Sequence, residues 1–461
     1  MWLSILLHVG IIAGVLAGFL LIGHILRQRR PPATSLGWIL FVIFIPYLGI
    51  PFYLALGTRK LSDLSTAKAR LFETAQDTSP TAGSLAVERV LAVAGIPAAS
   101  AGNQVLLHAD GVAACEALLA LIDSAQQELA VCTFILGNDS FGERIIERLA
   151  ARAEQGVQVR LLLDGVGSFL LPRTRLAHLQ QAGGKVAWFI PVIHRPFRGR
   201  TNLRNHRKYA VADRQWVWAG GRNLAGEYFE PDTGTGEWID LSYDLGGPAA
   251  GDFQHIFEAD WNFATRQQLP AASAANRPTE TGDGRVQVVP AGPDIGGEPL
   301  RDILLTACFQ ASRRILAVTP YYVPDEGLQE ALCLAAKRGV AVDIILPMHS
   351  NHRLADLARR RYLDELANAG ARIWLVPDAM VHAKAIVFDE TLALAGSANL
   401  DRRSLFLNFE VMSLFLDKPE IATLETWLAS LRQRGRQLVP EQRSALRESL
   451  EGLVLLLAYQ L

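Results

Sequence analysis

The 461-residue chain is poor in the features that mark several common classes. It has only four cysteines, Cys115, Cys132, Cys308 and Cys333, none within four residues of another, so it holds no CxxC pair and no zinc-ligand spacing. Each lies in an apolar stretch and reads as a small buried hydrophobe; dense disulfide stapling is excluded, a single bridge is not. Neither sign of charge dominates. Lys plus Arg number 45 and Asp plus Glu 46, a net charge of −1, so there is no global basic field for nucleic acid. Gly 38 and Pro 22 are close to average usage and 50% of residues are apolar, which excludes a collagen, a low-complexity scaffold and a mainly disordered chain.

Charge is also missing locally. No Asp, Glu, Lys or Arg occurs between Met1 and Leu26, and Trp2–Leu26 is long enough to span a ~30 Å hydrocarbon core. After the loop RQRRPP, residues 31–58 are again free of formal charge. The apolar part, Leu36–Leu56, is about the spanning length, with Pro46, Gly49 and Pro51 able to kink it or make it re-entrant. A cleaved signal peptide fits poorly: the start carries no positive charge, the apolar run is too long, and a second run follows. Two membrane segments are expected in residues 1–58. Their orientation stays open, because Arg27, Arg29 and Arg30 oppose Arg59, Lys60, Lys68 and Arg70.

Residues 59–105 read as a connecting region with one apolar helical stretch, Leu85–Ala94. From 106 onward strands alternate with helices, which predicts an α/β fold. LAVCTFIL (129–136) and VQVRLLLD (157–164) read as buried strands around an amphipathic helix (141–156) closed by Gly156. The phrase recurs as ILAVTPYYV (315–323), GLQEALCLAAKRG (327–339) and VAVDIILP (340–347). Gly183 before KVAWFI is matched by Gly370 before ARIWLV. Gly156 and Gly339 are 183 residues apart, too far for a solenoid repeat, so two domain-sized copies are predicted, 106–266 and 286–448. Residues 267–285 read as their linker, and 449–461 as an apolar segment that packs on the core or lies at a membrane surface.

The strongest signal is a polar pattern present once in each copy. NHRKYAVADRQWVWAGGRN contains His206, Lys208, Asp213, Gly220, Gly221 and Asn223. VHAKAIVFDETLALAGSAN contains His382, Lys384, Asp389, Gly396, Ser397 and Asn399. His to Lys is 2 residues in both, Lys to Asp 5, and His to Asn 17. In a strand, residues i and i+2 share a face, so each His and Lys point together; each Asp falls where the strand turns. Gly-Gly and Gly-Ser let the backbone approach a bound group closely, and Asn adds a donor. Two His, two Lys and two Asn make a cationic pocket suited to phosphate. One imidazole can attack phosphorus while the other protonates the leaving oxygen and then deprotonates the incoming hydroxyl.

These motifs resemble the phospholipase D superfamily signature, HxKxxxxD followed by GG or GS and Asn. With IPYLGIPFYLALG, GGRN and GSANLDRRSLFLNFE, the layout is similar to bacterial cardiolipin synthases of the phospholipase D type over nearly the whole chain. The resemblance implies tandem phospholipase D-like α/β/α sandwich domains with pseudo-twofold symmetry, preceded by two N-terminal membrane helices. It implies a nucleophile at His206 forming a phosphohistidine, an acid/base role at His382, and phosphate contacts from Lys208, Lys384, Asn223 and Asn399. Gly221 and Ser397 join the expected phosphate-binding group, Asp213 and Asp389 the expected catalytic set. No metal or cofactor is expected. By sequence alone the two histidines are symmetric.

Asp240 in EWIDLS and Glu410 in LNFEVM are both expected on the strand after the Asn loop, where the family places an acidic partner for a catalytic His; whether each serves its own copy or the other stays open. Asp401 and Ser404 are expected to fix the loop after Asn399. HRPFRGRTNLRNHRK (194–208) holds Arg195, Arg198, Arg200, Arg204 and Arg207 and reads as a gate for anionic headgroups. The expected activity is phosphatidyl transfer between two phosphatidylglycerol molecules, giving cardiolipin and glycerol in a multi-pass protein of the bacterial inner membrane. The alternatives are a hydrolase of the same superfamily, on phospholipid more than nucleic acid, and a non-catalytic membrane scaffold, against which the intact duplicate set argues.

Overall fold

The computed structural model describes residues 2–27, 32–57, 85–190, 202–230, 236–267 and 278–440, with the side chains of the first helix described only at 2, 12 and 14–27. The segment 449–461, residues 268–277 of the linker, and Arg195, Arg198 and Arg200 lie outside them.

In the N-terminal unit, helices span Trp2–Arg27, Pro32–Phe44 and Pro46–Leu56. The expected second segment is not one helix. It breaks at Ile45 (φ −133°, ψ 60°), and Pro46 takes the first-turn position where its missing N–H costs nothing. Trp38 and Tyr53 would be ~22 Å apart along a straight helix, yet their ring centroids lie 5.2 Å apart, so the chain folds back. Gly49 permits this, since a Cβ there would meet the Phe41 carbonyl oxygen at 2.6 Å. Among the described residues no helix is long and apolar enough to cross a membrane.

Among the described residues the second unit, the catalytic body, is built on a fifteen-stranded sheet and two separate two-stranded ladders, nineteen strands in all. The first copy contributes β1 (Ser100–His108), β2 (Glu128–Thr133), β3 (Gln158–Asp164), β4 (Lys185–Phe189), β5 (Tyr209–Ala212), β6 (Trp216–Gly220), β7 (Glu237–Ile239) and β8 (Ser242–Gly246). The second contributes β9 (Gly284–Ala291), β10 (Arg314–Val318), β11 (Tyr322–Val323), β12 (Ala341–Pro347), β13 (Arg372–Val376), β14 (Ala379–Val381), β15 (Ala385–Phe388), β16 (Leu392–Gly396), β17 (Leu400–Asp401), β18 (Glu410–Phe415) and β19 (Arg436–Gln437). The ladders pair β7 with β14 and β11 with β17, and in the sheet the order β4-β3-β2-β5-β6-β8-β1 is followed by β9-β18-β16-β15-β10-β12-β13-β19. The second run mirrors the first, so a pseudo-twofold axis passes between β1 and β9.

Helices cover both faces, which is why the inner strands read as unbroken apolar runs. Leu129, Val131, Ala210, Ala212 and Trp218 pack with helices Gly111–Ser124 and Ser140–Glu154. Trp218 satisfies its indole N–H on the Ala114 carbonyl at 3.0 Å. From the opposite face Tyr209 meets Phe253 of helix Ala249–Thr265, rings 5.3 Å apart. The duplication extends to local geometry: Gly156 and Gly339 both end a helix at φ +90°, and Asp139 and Asp325 both cap one, worth ~1 kcal/mol each.

The end of the expected connecting region belongs to the body. Its helix, Ala86–Val93, buries Val87 and Leu91 against Leu300, Ile303 and Leu304 of the second copy. Its strand, β1, is central in the sheet. The expected strand 315–323 is interrupted after Val318: Thr319 bonds forward to the Tyr321 carbonyl (2.9 Å), and Pro320 has no N–H for a ladder. All four cysteines are free and buried.

Candidate active site

Each His-x-Lys triplet sits just before a strand, β5 or β15, rather than within it. Each is bonded to the other copy. His206 N–H donates to the Phe409 carbonyl (2.9 Å) and Phe409 N–H to Arg204 (2.9 Å). In the mirror position β14 pairs with β7, and His382 N–H donates to the Ile239 carbonyl (2.7 Å). These bridges place the residue after each acceptor, Glu410 and Asp240, beside the facing imidazole. His206 Nδ1 lies 3.0 and 3.1 Å from the Glu410 carboxylate oxygens, and His382 Nδ1 lies 2.6 Å from Asp240 Oδ2. The carboxylates therefore orient histidines across the copies.

His206 Nδ1 faces only a carboxylate and so carries the proton, which leaves a lone pair on its Nε2, whereas His382 Nδ1 faces both Asp240 and the Lys384 ammonium. Lys384 Nζ lies against the His382 ring, 2.8 Å from Nδ1 and 3.0 Å from Nε2, and Lys208 Nζ bonds the His206 carbonyl at 2.5 Å. Phe134 walls His206 (5.1 Å between rings) and Lys208; Tyr228 (5.2 Å) and Trp238 (5.7 Å) wall His382. These aromatics were not singled out from sequence.

The two carboxylates are held differently. Glu410 accepts from Ser397 Oγ (2.5 Å), Ser404 Oγ (2.9 Å) and Asn408 Nδ2 (3.4 Å) besides His206. Asp240 accepts Leu241 N–H at 2.8 Å. Gly221 stands where the second copy has Ser397, and a Cβ there would lie 2.2 Å from Asp240 Oδ1. Gly221 and Ser397, expected on the phosphate, thus sit behind the carboxylates.

Asp213 and Asp389 are not brought to the imidazoles. They follow β5 and β15 at φ +50° and +51°, at the strand ends away from the Lys–His triplets. Asp213 accepts N–H groups of Gln126, Gln127 and Glu128; Asp389 accepts those of Ser312, Arg313 and Arg314. Short polar side chains tolerate this left-handed turn, so these residues tie a loop to the sheet and touch no reacting atom. Asn223 donates one Nδ2 hydrogen to Tyr228 Oη (2.7 Å) and Asn399 one to Asp401 (3.0 Å), and each amide carries a second N–H that can meet a phosphate oxygen. Asp401 also accepts Ser404 N–H at 2.7 Å, the loop-fixing contact expected there.

Of the gate arginines, Arg204 and Arg207 are buried. Arg204 pairs with Asp164 at 3.6 Å. Arg207 pairs with Asp260 at 2.5 Å and donates to the Glu410 carbonyl at 3.0 Å, another tie between copies. Losing Asp260 would strand a buried guanidinium, at ~3–5 kcal/mol.

Burial governs the titration. It lowers His206 to about 4, with Lys208 and Lys384 adding to the effect against Glu410. Burial and then Lys384 lower His382 to about 3. Burial also lowers Lys208 to about 7 and Lys384 to about 8, despite the carboxylates. For Asp240 burial acts upward, but Lys384 and His382 outweigh it and hold the acid at about 2. The free enzyme at neutral pH therefore has neutral imidazoles beside a cationic pocket. A bound phosphodiester anion offsets the lysine charge and raises imidazole proton affinity. Attack needs neutral His206, and anion binding needs charged lysines. The pH profile of kcat/KM should rise through about 4 and fall from about 7 upward. A profile still rising above pH 8 would contradict this ordering.

Among the described residues no group of three or more His, Cys, Asp or Glu is arranged to hold a metal ion. Fold and site together define a phospholipase D-type phosphodiester-transfer protein: a duplicated α/β body with paired His and Lys at the junction of its copies. Residues 118–261 and 304–432 match the family "Cardiolipin synthase, PLD-like domain", and residues 16–57 match "Phospholipase_D-nuclease N-terminal". The chain belongs to the cardiolipin synthase family. It is 32% identical to cardiolipin synthase A of Klebsiella pneumoniae over 434 residues, 89% of this chain and 87% of the relative. It is 32% identical to cardiolipin synthase A of Escherichia coli over 441 residues, 90% of this chain and 89% of the relative. The fold is shared with phosphatidylserine synthase of Haemophilus influenzae, with TM-score 0.60, 15% identity, and coverage of 78% of this chain and 95% of that chain.

Proposed function

We infer that the chain is a phosphatidyltransferase that makes cardiolipin from two phosphatidylglycerol molecules. The observation that carries the reading is the crossed pair of dyads, which sets a nucleophile and a proton carrier beside two lysines. His206 Nε2 has no hydrogen-bond partner among the described residues, whereas the Lys384 ammonium lies against both ring nitrogens of His382, which favours His206 as nucleophile. His206 Nε2 attacks the donor phosphorus; the N–P bond forms as the bond to the glycerol oxygen breaks, and His382 passes to that oxygen a proton drawn from the Lys384 ammonium, 3.0 Å from its Nε2. A second phosphatidylglycerol then attacks through its free hydroxyl, His382 takes the hydroxyl proton, and the N–P bond breaks to release cardiolipin. Lys208 and Lys384 hold the non-bridging oxygens through both steps.

The N-terminal helices are proposed to lie in the bacterial inner membrane. Their surface supports this: Phe19, Leu20, Phe44 and Tyr47 are at least 70% exposed, a pattern suited to lipid rather than water.

Mass spectrometry of products from phosphatidylglycerol vesicles tests the reading. Cardiolipin with equimolar glycerol is expected; phosphatidic acid alone would favour the hydrolase, and no product would favour a scaffold. Because lysines do the work of a cation here, EDTA should change the rate by less than about twofold. Complete loss restored by metal would contradict the mechanism.

A further inference from the structure

The loop after β3, residues 165–172, turns apolar side chains outward. Phe169 is 65% and Leu170 82% exposed, with Val166 at 44% beside them. Connecting loops usually carry polar residues at such positions, and this loop is not slack. Asp164 Oδ1 accepts the N–H groups of Val166 (2.8 Å) and Gly167 (3.0 Å). Phe169 N–H and Leu171 N–H close turns onto the Val166 and Ser168 carbonyls, both at 3.1 Å. Ser168 and Leu171 are buried, which leaves Phe169 and Leu170 as a fixed outward apex.

The apex is joined to the reacting site at two points. Ser168 Oγ donates to the Phe134 carbonyl at 3.0 Å, and the Phe134 ring walls His206. The second oxygen of Asp164 accepts Asn205 N–H at 2.9 Å, one residue before His206. One buried carboxylate thus fixes both the apolar apex and the histidine loop. Beyond the apex, exposed Arg173 lies over Trp188, 5.9 Å from the ring centroid. An apolar tip followed by an Arg–Trp pair suits an acyl boundary with anionic headgroups behind it.

We propose that residues 165–172 form a bilayer-contacting wedge, in which Phe169 and Leu170 enter the acyl–headgroup boundary of an anionic phospholipid surface and Arg173 meets its phosphates. The wedge holds the His206 mouth at headgroup level, where a phosphodiester reaches it without leaving the membrane. This rests on the lipid-substrate reading above.

The test uses the full chain reconstituted in phosphatidylglycerol vesicles. The four native cysteines are buried, so Phe169→Cys provides a single accessible site for an environment-sensitive fluorophore. Its emission should be blue-shifted, quenched by nitroxides on lipid acyl chains and protected from aqueous iodide. Gln155→Cys, exposed at the other end of β3 and ~23 Å away along it, should stay accessible to iodide. Iodide access at Phe169 equal to that at Gln155 overturns the proposal, as does protection from both quenchers, which would mean a protein partner. The double variant Phe169→Asp/Leu170→Asp should lose about tenfold or more on long-chain vesicles and less than about twofold on monomeric short-chain phosphatidylglycerol. Equal losses on both would make the loop merely structural. If wild-type chain were inactive on both lipids, the functional reading would fail, and the quenching data would still decide the wedge.

Discussion

His206→Ala is expected to abolish phosphatidyl transfer, lowering kcat/KM at least about 10⁴-fold with natural and activated donors alike, because no other group replaces the attacking nitrogen. His382→Ala should behave differently. With phosphatidylglycerol the loss should be about 10²–10⁴-fold, the usual worth of a positioned proton donor. With a nitrophenyl phosphatidyl donor most of that loss should disappear, because a low-pKa leaving oxygen departs without a proton. The roles would be reversed if His206→Ala were the variant rescued by the activated donor.

The second large effect follows from the crossed carboxylates. Glu410→Gln and Asp240→Asn should each cost on the order of 10²- to 10⁴-fold, since an amide permits the wrong imidazole tautomer and no longer supports positive charge on the ring. Their response to leaving group should separate them. Glu410 orients the attacking His206, so Glu410→Gln should stay impaired with the nitrophenyl donor. Asp240 orients the proton carrier His382, so Asp240→Asn should recover. Within-copy pairing would give the opposite pattern. Unchanged near-UV circular dichroism in both variants separates a mechanistic loss from an unfolding one.

Much of this arrangement was legible in the sequence, because the duplication doubled every signal. A single HxK is weak; a pattern repeated with identical spacings picks out His206, Lys208, His382 and Lys384, and all four meet at one junction. The carboxylates were visible as residues but not as partners. Pairing across copies depends on the backbone bridges from His206 to Phe409 and from His382 to Ile239, which link segments about 200 and 140 residues apart. No local pattern encodes such contacts. Asp213 and Asp389 misled for a related reason: repetition marks any residue that both copies need, and a loop-fixing aspartate repeats as faithfully as a catalytic one. Gly221 and Ser397 were read as close-approach positions, and they are, although the group approached is a carboxylate. The helix Ala86–Val93 read as part of a connector because its apolar face is short; its packing partner lies in the other copy. The second apolar segment near the N-terminus carried its own warning in Pro46 and Gly49, where the chain folds back.

Mapping the covalent intermediate tests the central claim most directly. Each histidine variant is incubated with the nitrophenyl phosphatidyl donor and quenched in base, where phosphoramidates survive, and the adduct is located by peptide mass spectrometry. The expected result is a phosphatidyl adduct on His206 in His382→Ala and none in His206→Ala. An adduct on His382 in His206→Ala, with His206 unmodified in the reciprocal variant, would contradict the assignment of the nucleophile.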